Sequence, residues 1–227
     1  MSKPTFQVVK LGGSLLDFAG WESQFWRWLR ASQCAQTIVV VGGGAPVERL
    51  RDEQFVRGLT EFDAHWEAIG AMGHNARRVA AKLLTPKIAR KLVVSRLEQL
   101  TRALRQQPLV FVDPLELLRE DEPIAEGKKL PCSWDVTSDS IAARICEMIG
   151  CQSLTLLKST LPGSAGDYAA AAGSGYVDQF FPTAAAHLER VICVNLRSTT
   201  LESAMLERIS DSRRNSTVAQ HRPKAQH

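Results

Sequence analysis

Two glycine clusters, each at the end of an apolar, β-branched run, constrain this chain more than any other feature. They are Val8-Val9-Lys10-Leu11-Gly12-Gly13-Ser14 and Ile38-Val39-Val40-Val41-Gly42-Gly43-Gly44-Ala45-Pro46. Each reads as a buried strand opening into a loop and then a helix. At such a strand end an α/β sheet exposes backbone N–H groups to an anionic ligand. Glycine lets the main chain approach that ligand without a Cβ in the way. Lys10, two residues before the first glycine pair, adds a cation suited to phosphate. The first expectation is therefore an enzyme that handles phosphate groups.

The rest of the chain alternates strand and helix signals. Phe6–Leu11 and Thr37–Val41 read as strands, and Trp21–Ala31 as a helix with Trp21, Phe25, Trp28 and Leu29 on one face. That aromatic stripe suits either the core or a dimer contact. Pro46 suits a helix's first turn, and the helix it opens runs to about Gly58. A long helical pattern follows from Thr60 to Leu84 and stops before Pro86. Strands are expected near 91–94, 109–112, 154–157 and 190–195, with helices through Leu97–Leu104, after Asp113-Pro114, from Ser138 to Gly150 and over Leu201–Ile209. Asp121–Lys129 reads as a polar surface loop or hairpin and Leu161–Gly175 as a flexible loop. The pattern predicts an α/β fold with a mainly parallel central sheet. From Ser210 onward the chain is polar and is expected to be disordered.

Charge and cysteines exclude some partners. The net charge of +4 comes from the C-terminal stretch, where Arg208, Arg213, Arg214, Arg222 and Lys224 face only Asp211. The body is near neutral, which argues against a nucleic-acid partner. The five cysteines, Cys34, Cys132, Cys146, Cys151 and Cys193, form no C-x-x-C pair and no zinc spacing, so no protein metal site is expected. They fit reduced thiols in a cytoplasmic protein. No apolar run approaches the ~18 residues of a membrane span, and no membrane partner is expected.

Three segments carry the candidate chemistry. Lys10-Leu11-Gly12-Gly13-Ser14 matches neither a Walker A loop nor a dinucleotide fingerprint, and alone it is either a phosphate loop or a tight turn beside a surface lysine. In Trp134-Asp135-Val136-Thr137-Ser138-Asp139-Ser140, Thr137 or Ser138 suits a helix N-cap. Asp139 then either complements the helix dipole or holds lysines or magnesium beside a polyphosphate. In Leu154-Thr155-Leu156-Leu157-Lys158-Ser159-Thr160, Lys158 stands at a strand's C-terminal end, where ligands bind in open α/β folds.

Taken in order, these segments resemble the amino acid kinase family, which includes acetylglutamate, aspartate, glutamate and uridylate kinases. The likeness covers roughly residues 6 to 200. His65-Trp66-Glu67-Ala68-Ile69-Gly70-Ala71-Met72 adds a similarity to the small archaeal-type branch containing the aminomethylfuran phosphate kinase of methanofuran biosynthesis. The resemblance implies a three-layer α/β/α sandwich over residues 1–209, with an acceptor-binding half to about 130 and a nucleotide-binding half from about 131. It implies ATP and Mg2+ as cofactors, a small-molecule acceptor (a phosphate monoester within that branch, converted to a diphosphate) and a homodimer.

Carried over by residue, Lys10 neutralises the transferring phosphoryl group, and Gly12, Gly13 and Ser14 contact the nucleotide phosphates. Gly42, Gly43 and Gly44 cradle the acceptor, with His65, Thr137 and Ser138 beside it. Asp139 orients Lys10 and helps place magnesium. His65 is either an acceptor ligand or a packed helical histidine. The family's second lysine, in a G-G-M-x-x-K-type segment, has no counterpart in Gly175–Thr183. Lys158 is expected to supply that charge, with Ser159 beside it at the nucleotide. The alternative is a catalytically degenerate fold that binds a nucleotide or metabolite without phosphoryl transfer.

Overall fold

The computed structural model describes residues 6–32, 34–164 and 166–208. The expected disordered tail from Ser210 lies outside the described residues. Seven strands form one sheet: β1 (Phe6–Leu11), β2 (Gln36–Val41), β3 (Val93–Val94), β4 (Leu109–Val112), β5 (Leu154–Lys158), β6 (Arg190–Asn195) and β7 (Ser203–Glu207). Their order is β3-β4-β2-β1-β5-β6-β7, and every pairing is parallel except β6 with β7. Helices on both faces give the three-layer α/β/α arrangement expected of the sequence. They are α1 (Trp21–Ala31), α2 (Ala45–Glu53), α3 (Glu61–Leu83), α4 (Pro86–Leu92), α5 (Leu97–Ala103), α6 (Pro114–Glu116), α7 (Ser138–Met148), α8 (Tyr168–Gly173) and α9 (Phe181–Ala184). No helix among the described residues is long and apolar enough to cross a membrane.

Alternation along the strands divides the core in two, because successive side chains point to opposite faces. Val8, Ile38, Val40, Val110 and Leu156 pack on one face with Ile69 and Met72 of α3 and the buried stripe of α7. Val9, Leu11, Val39, Val41 and Phe111 pack on the other with α1, α4 and the later turns of α3. Trp21, Phe25 and Trp28 are buried there, so the aromatic stripe of α1 is core.

The structure corrects four sequence-based expectations. The helix expected over Leu201–Ile209 is not found in its described residues, 201–208: Ser203–Glu207 is the antiparallel edge strand β7, paired with β6 from Val194↔Ser203 to Arg190↔Glu207. Its one fully buried side chain is Leu206, so cross-strand packing decides the conformation over local propensity. The 161–175 segment is not all loop, because its alanine run forms α8, capped by the Asp167 carboxylate, which accepts from Ala170 N at 2.8 Å. Near residue 91 the chain is still helical, since Pro86 opens α4 and only Val93–Val94 extend. The 121–129 segment is anchored at its start, where Asp121 and Glu122 are buried.

Asp121 takes a forked contact from Arg96 and accepts from Leu97 N at 2.7 Å. Glu122 receives Arg144 Nε at 3.0 Å, and Arg144 also reaches Glu126 O at 2.6 Å and the Glu147 carboxylate. Arg144 has no exposed surface. Removing it strands a buried carboxylate without its counter-ion. Arg144→Ala is therefore expected to lower the unfolding free energy by about 3 kcal/mol or more in urea titrations. A change under about 1 kcal/mol would show that the network does not hold α7 to this segment.

Candidate active site

Strand β1 lies between β2 and β5, so the chain departs to one side of β1 and later returns to the other. The carboxyl ends of three neighbouring strands thus open on one crevice, the usual ligand position in an open α/β sheet. A cavity of about 720 Å³ occupies it. Of the thirteen residues expected at the site, eleven line this cavity: Lys10, Gly12, Gly13, Ser14, Gly43, Gly44, His65, Thr137, Ser138, Lys158 and Ser159. Gly42 and Asp139 lie directly behind that wall.

The loops meet too closely for side chains. A Cβ on Gly13 would fall 2.2 Å from Gly44 N, and one on Gly42 would fall 2.7 Å from Gly13 N and 3.2 Å from Ser138 Oγ. Gly44 also has φ +59°, in the range that favours glycine. The loops after β1 and β2 are therefore in backbone contact, with the Ser138 side chain at the start of α7 close against them. Asn75 of α3 fixes the second loop, donating from Nδ2 to Gly42 O at 2.9 Å and Gly43 O at 2.8 Å. Sequence reasoning missed Asn75, although a polar residue between Met72 and Val79 on the buried stripe of α3 was a usable signal.

The amides behave unequally. Gly12 N donates to Leu157 O at 2.8 Å and Gly42 N to Leu11 O at 2.8 Å, so both extend the sheet ladder. The phosphate contact expected of the Gly12 N–H is thus spent on β5. The N–H groups of Gly13, Gly43 and Gly44 have no acceptor among the described residues.

The charged floor follows from strand register. Lys10 pairs with Leu156 across β1 and β5, and Lys158 is two residues beyond Leu156. A separation of two keeps both lysines on one face of the sheet. That face carries α7, whose first turn presents Asp139 between them. Asp139 Oδ1 lies 3.0 Å from Lys10 Nζ, an ion pair off the hydrogen-bonding direction, and Lys158 Nζ donates to Asp139 Oδ2 at 2.8 Å.

Lys10 and Asp139 are only 6% and 4% exposed. Burial drives the Lys10 pKa down against the attraction of Asp139. For Asp139 burial acts upward, but Lys10 and Lys158 together outweigh it and hold the carboxyl below its ordinary value.

Asp139 is poorly suited to the magnesium role expected of it, because a dication at either oxygen would meet an ammonium. Among the described residues no group of three or more His, Cys, Asp or Glu could hold a metal ion. Magnesium would have to be carried on the phosphate oxygens of a nucleotide.

Two further residues escaped the sequence reading. Tyr176 O accepts a hydrogen bond from Lys158 Nζ, and the Tyr176 ring centroid lies 4.5 Å from that ammonium. Asp178 accepts from Thr137 N, Thr137 Oγ1 and Ser140 N at 3.0, 2.8 and 3.0 Å, and from the Ser140 hydroxyl. Asp178 is the one acid in the lysine-free Gly175–Thr183 stretch, which was its only signal.

On the opposite wall, His65 Nδ1 lies 3.2 Å from Ser133 O. A carbonyl only accepts, so Nδ1 carries the proton and Nε2 offers a lone pair. Burial keeps this imidazole below its ordinary pKa, hence neutral near pH 7. Further along the same wall the Arg51 guanidinium stacks 4.5 Å over the Trp134 ring.

No functionally curated protein matches the chain by sequence. Among solved structures it is similar to the UMP kinase of Bacillus anthracis, with a TM-score of 0.60 and 12% identity over 92% of this chain and 98% of that one. It is also similar to the UMP kinase of Ureaplasma parvum, with a TM-score of 0.58 and 12% identity over 91% of this chain and 100% of that one. At such identity the likeness is one of fold. The model of the amino acid kinase family, however, matches residues 5–160, more than half of the chain. The chain belongs to the amino acid kinase family.

Proposed function

We propose that this protein transfers the terminal phosphoryl group of ATP to a small-molecule phosphate monoester, forming a diphosphate. Family membership supports phosphoryl transfer, and one observation supports catalysis over binding alone. Two lysines, Lys10 and Lys158, converge on Asp139 at the floor of a cavity lined by three strand-end loops. Phosphoryl transfer needs positioning and charge stabilisation more than a protein nucleophile. This floor supplies both.

In this reading the nucleotide occupies the side bounded by Ser14, Ser159 and the 160–162 and 174–176 segments, in the half from about residue 131. The acceptor occupies the side bounded by Gly43, Gly44, Arg51 and His65. Mg2+ carried on the phosphate oxygens of the nucleotide would screen phosphate charge, with no protein carboxylate needed to hold it. The unpaired N–H groups of Gly13, Gly43 and Gly44 meet phosphate oxygens. Lys10 and Lys158 hold the transferring group and stabilise the charge that builds on it. The Nε2 of neutral His65 accepts a hydrogen bond from a proton-bearing group of the acceptor, such as a hydroxyl, an amine or a singly protonated phosphate.

The branch resemblance names aminomethylfuran methyl phosphate as the first acceptor to try, in tetrahydromethanopterin-linked one-carbon metabolism. The enzyme acts as a cytoplasmic homodimer in this proposal. The missing lysine in Gly175–Thr183 favours the second reading, a fold that binds without transfer. Lys158 at the floor supports the first.

ADP release from ATP and magnesium, followed across a panel of phosphate monoesters, separates the two readings. Release above the acceptor-free rate is expected with at least one monoester. Lys158→Met is expected to lower turnover by about 10²-fold or more, the usual worth of one transition-state contact, and Lys10→Met by at least as much. Wild-type turnover in Lys158→Met would remove Lys158 from the mechanism. Absence of release with every monoester would favour the binding protein.

Asp139 makes a separate prediction about stability. Asp139→Asn leaves two ammoniums facing one another, and at pH 7 it is expected to cost about 3 kcal/mol in urea unfolding. The folded-state pKa of Asp139 is depressed, so its contribution is full above the unfolded value of about 4. That contribution is lost as the pH falls through the folded value. The gap between wild type and Asp139→Asn should therefore narrow in acid. A gap constant down to pH 3 would contradict the ion-pair account.

A further inference from the structure

We infer that Asp178 is a positioning residue for the lysine pair, acting through the first turn of α7. Thr137 occupies the N-cap of α7, yet its side chain caps nothing. The cap comes instead from Asp178, 41 residues away, whose carboxylate collects Thr137 N, Thr137 Oγ1, Ser140 N and the Ser140 hydroxyl. These donors flank Asp139 on both sides in sequence. The carboxylate thus fixes the turn from which Asp139 reaches the two ammoniums.

The same segment is stitched down at three successive even positions. Tyr176 O receives Lys158 Nζ, Asp178 grips the start of α7, and Phe180 N donates to Asp135 O at 3.0 Å. Neighbouring Ser174, Gly175 and Tyr176 line the cavity. Where the family resemblance implies a lysine, this strap supplies a carbonyl and an aromatic ring that hold a lysine borne by β5, and a carboxylate that holds the start of α7. The cation stands on the strand, and the strap aims it.

A bare helix cap does not require this chemistry. Asn, Ser or Thr caps a helix as well as Asp does. Here burial, and after it the nearby charge of Asp139, act against the ionisation of Asp178. Asp178 in turn favours the charged form of Lys10. Lys10, Lys158, Asp139 and Asp178 form one electrostatic set, and Asp178 touches neither lysine. It reaches Lys10 only through space, whereas Lys158 is held both by Asp139 and by the strap that bears Asp178, so Lys158 carries most of its effect on the reaction.

The inference rests on the phosphoryl-transfer reading, and a double-mutant cycle tests the two separately. Turnover, KM for ATP and melting temperature are measured for wild type, Asp178→Ala, Asp178→Asn, Lys158→Met and Asp178→Ala combined with Lys158→Met. A residue acting through Lys158 is strongly non-additive with it, so the double variant should fall within about 3-fold of Lys158→Met. Asp178→Ala alone should lose about 30-fold or more in kcat while KM for ATP moves by less than about 3-fold. Asp178→Asn keeps an acceptor oxygen and should recover about 5-fold or more of that loss.

Multiplicative losses in the double variant would overturn the inference, as would Asp178→Ala turning over within about 3-fold of wild type. If Asp178→Ala does not fold, the cycle is run with Ser140→Ala, which removes one donor and leaves the helix amides in place. If wild type releases no ADP with any acceptor, the phosphoryl-transfer reading fails, and the cycle is read on melting temperature. Non-additive losses in Asp178→Ala and Lys158→Met, residues that do not touch, would then still support the positioning role. Additive losses would end it.

Discussion

The buried carboxylate of Asp139, set between two ammonium groups, is the contact on which the site depends. Two lysines on neighbouring strands would repel one another inside a protein, and burial already disfavours the charge on Lys10. A single anion between them lets both remain cations while leaving the trio with a surplus positive charge. That surplus faces a cavity lined by unpaired amides, a combination that favours a polyphosphate over a neutral ligand. Such an arrangement is not an efficient source of stability, since desolvating three charges consumes most of the gain from pairing them. Its value lies in placing two cations before a ligand arrives.

Placement begins with the sheet. The register of β1 against β5 sets Lys10 and Lys158 two residues apart on one face, and α7 covers that face. The glycines then bring the loops together, because a methyl group on Gly13 or Gly42 would overlap backbone atoms of the facing loop. Strand ends, loop approach and helix start are consequently one problem of packing. A side chain added at Gly13 would push the β2 loop away from β1, and with it the Asn75 contact that ties that loop to α3.

Most of the sheet was legible because its strands are short apolar runs, the first two ending in glycine, a local signal. Lys10, Asp139 and Lys158 were legible for a related reason: each sits at the boundary of an element that announces itself. What escaped was set by partners distant in sequence. β7 is a strand because β6 lies beside it, while its residues alone favour a helix. Asp178 looks like a surface acid until the start of α7, some 40 residues earlier, is brought to it. Gly12 differs from Gly13 only because Leu157 O takes its N–H. Fragments of sequence hold no record of such pairings, and the only trace is a residue whose polarity conflicts with its surroundings, as with Asn75.

The origin of the second cation changes what the site can do. A lysine on a mobile loop must lose conformational freedom when it meets a phosphate, and a buried long side chain costs up to about 2 kcal/mol in this way. Lys158 has already met that cost, held by Asp139, by Tyr176 O and by the Tyr176 ring. An ammonium has three N–H donors. Two of those on Lys158 are engaged, which leaves one for a ligand. Lys158 can therefore make a single directed contact with a phosphate oxygen without giving up its anchors. A pre-aimed single contact suits stabilising the charge of a transferring group, whereas loose chelation of a ground-state polyphosphate would need all three donors. The strap from Tyr176 to Phe180 thus makes a lysine at the end of β5 compatible with the proposed catalysis.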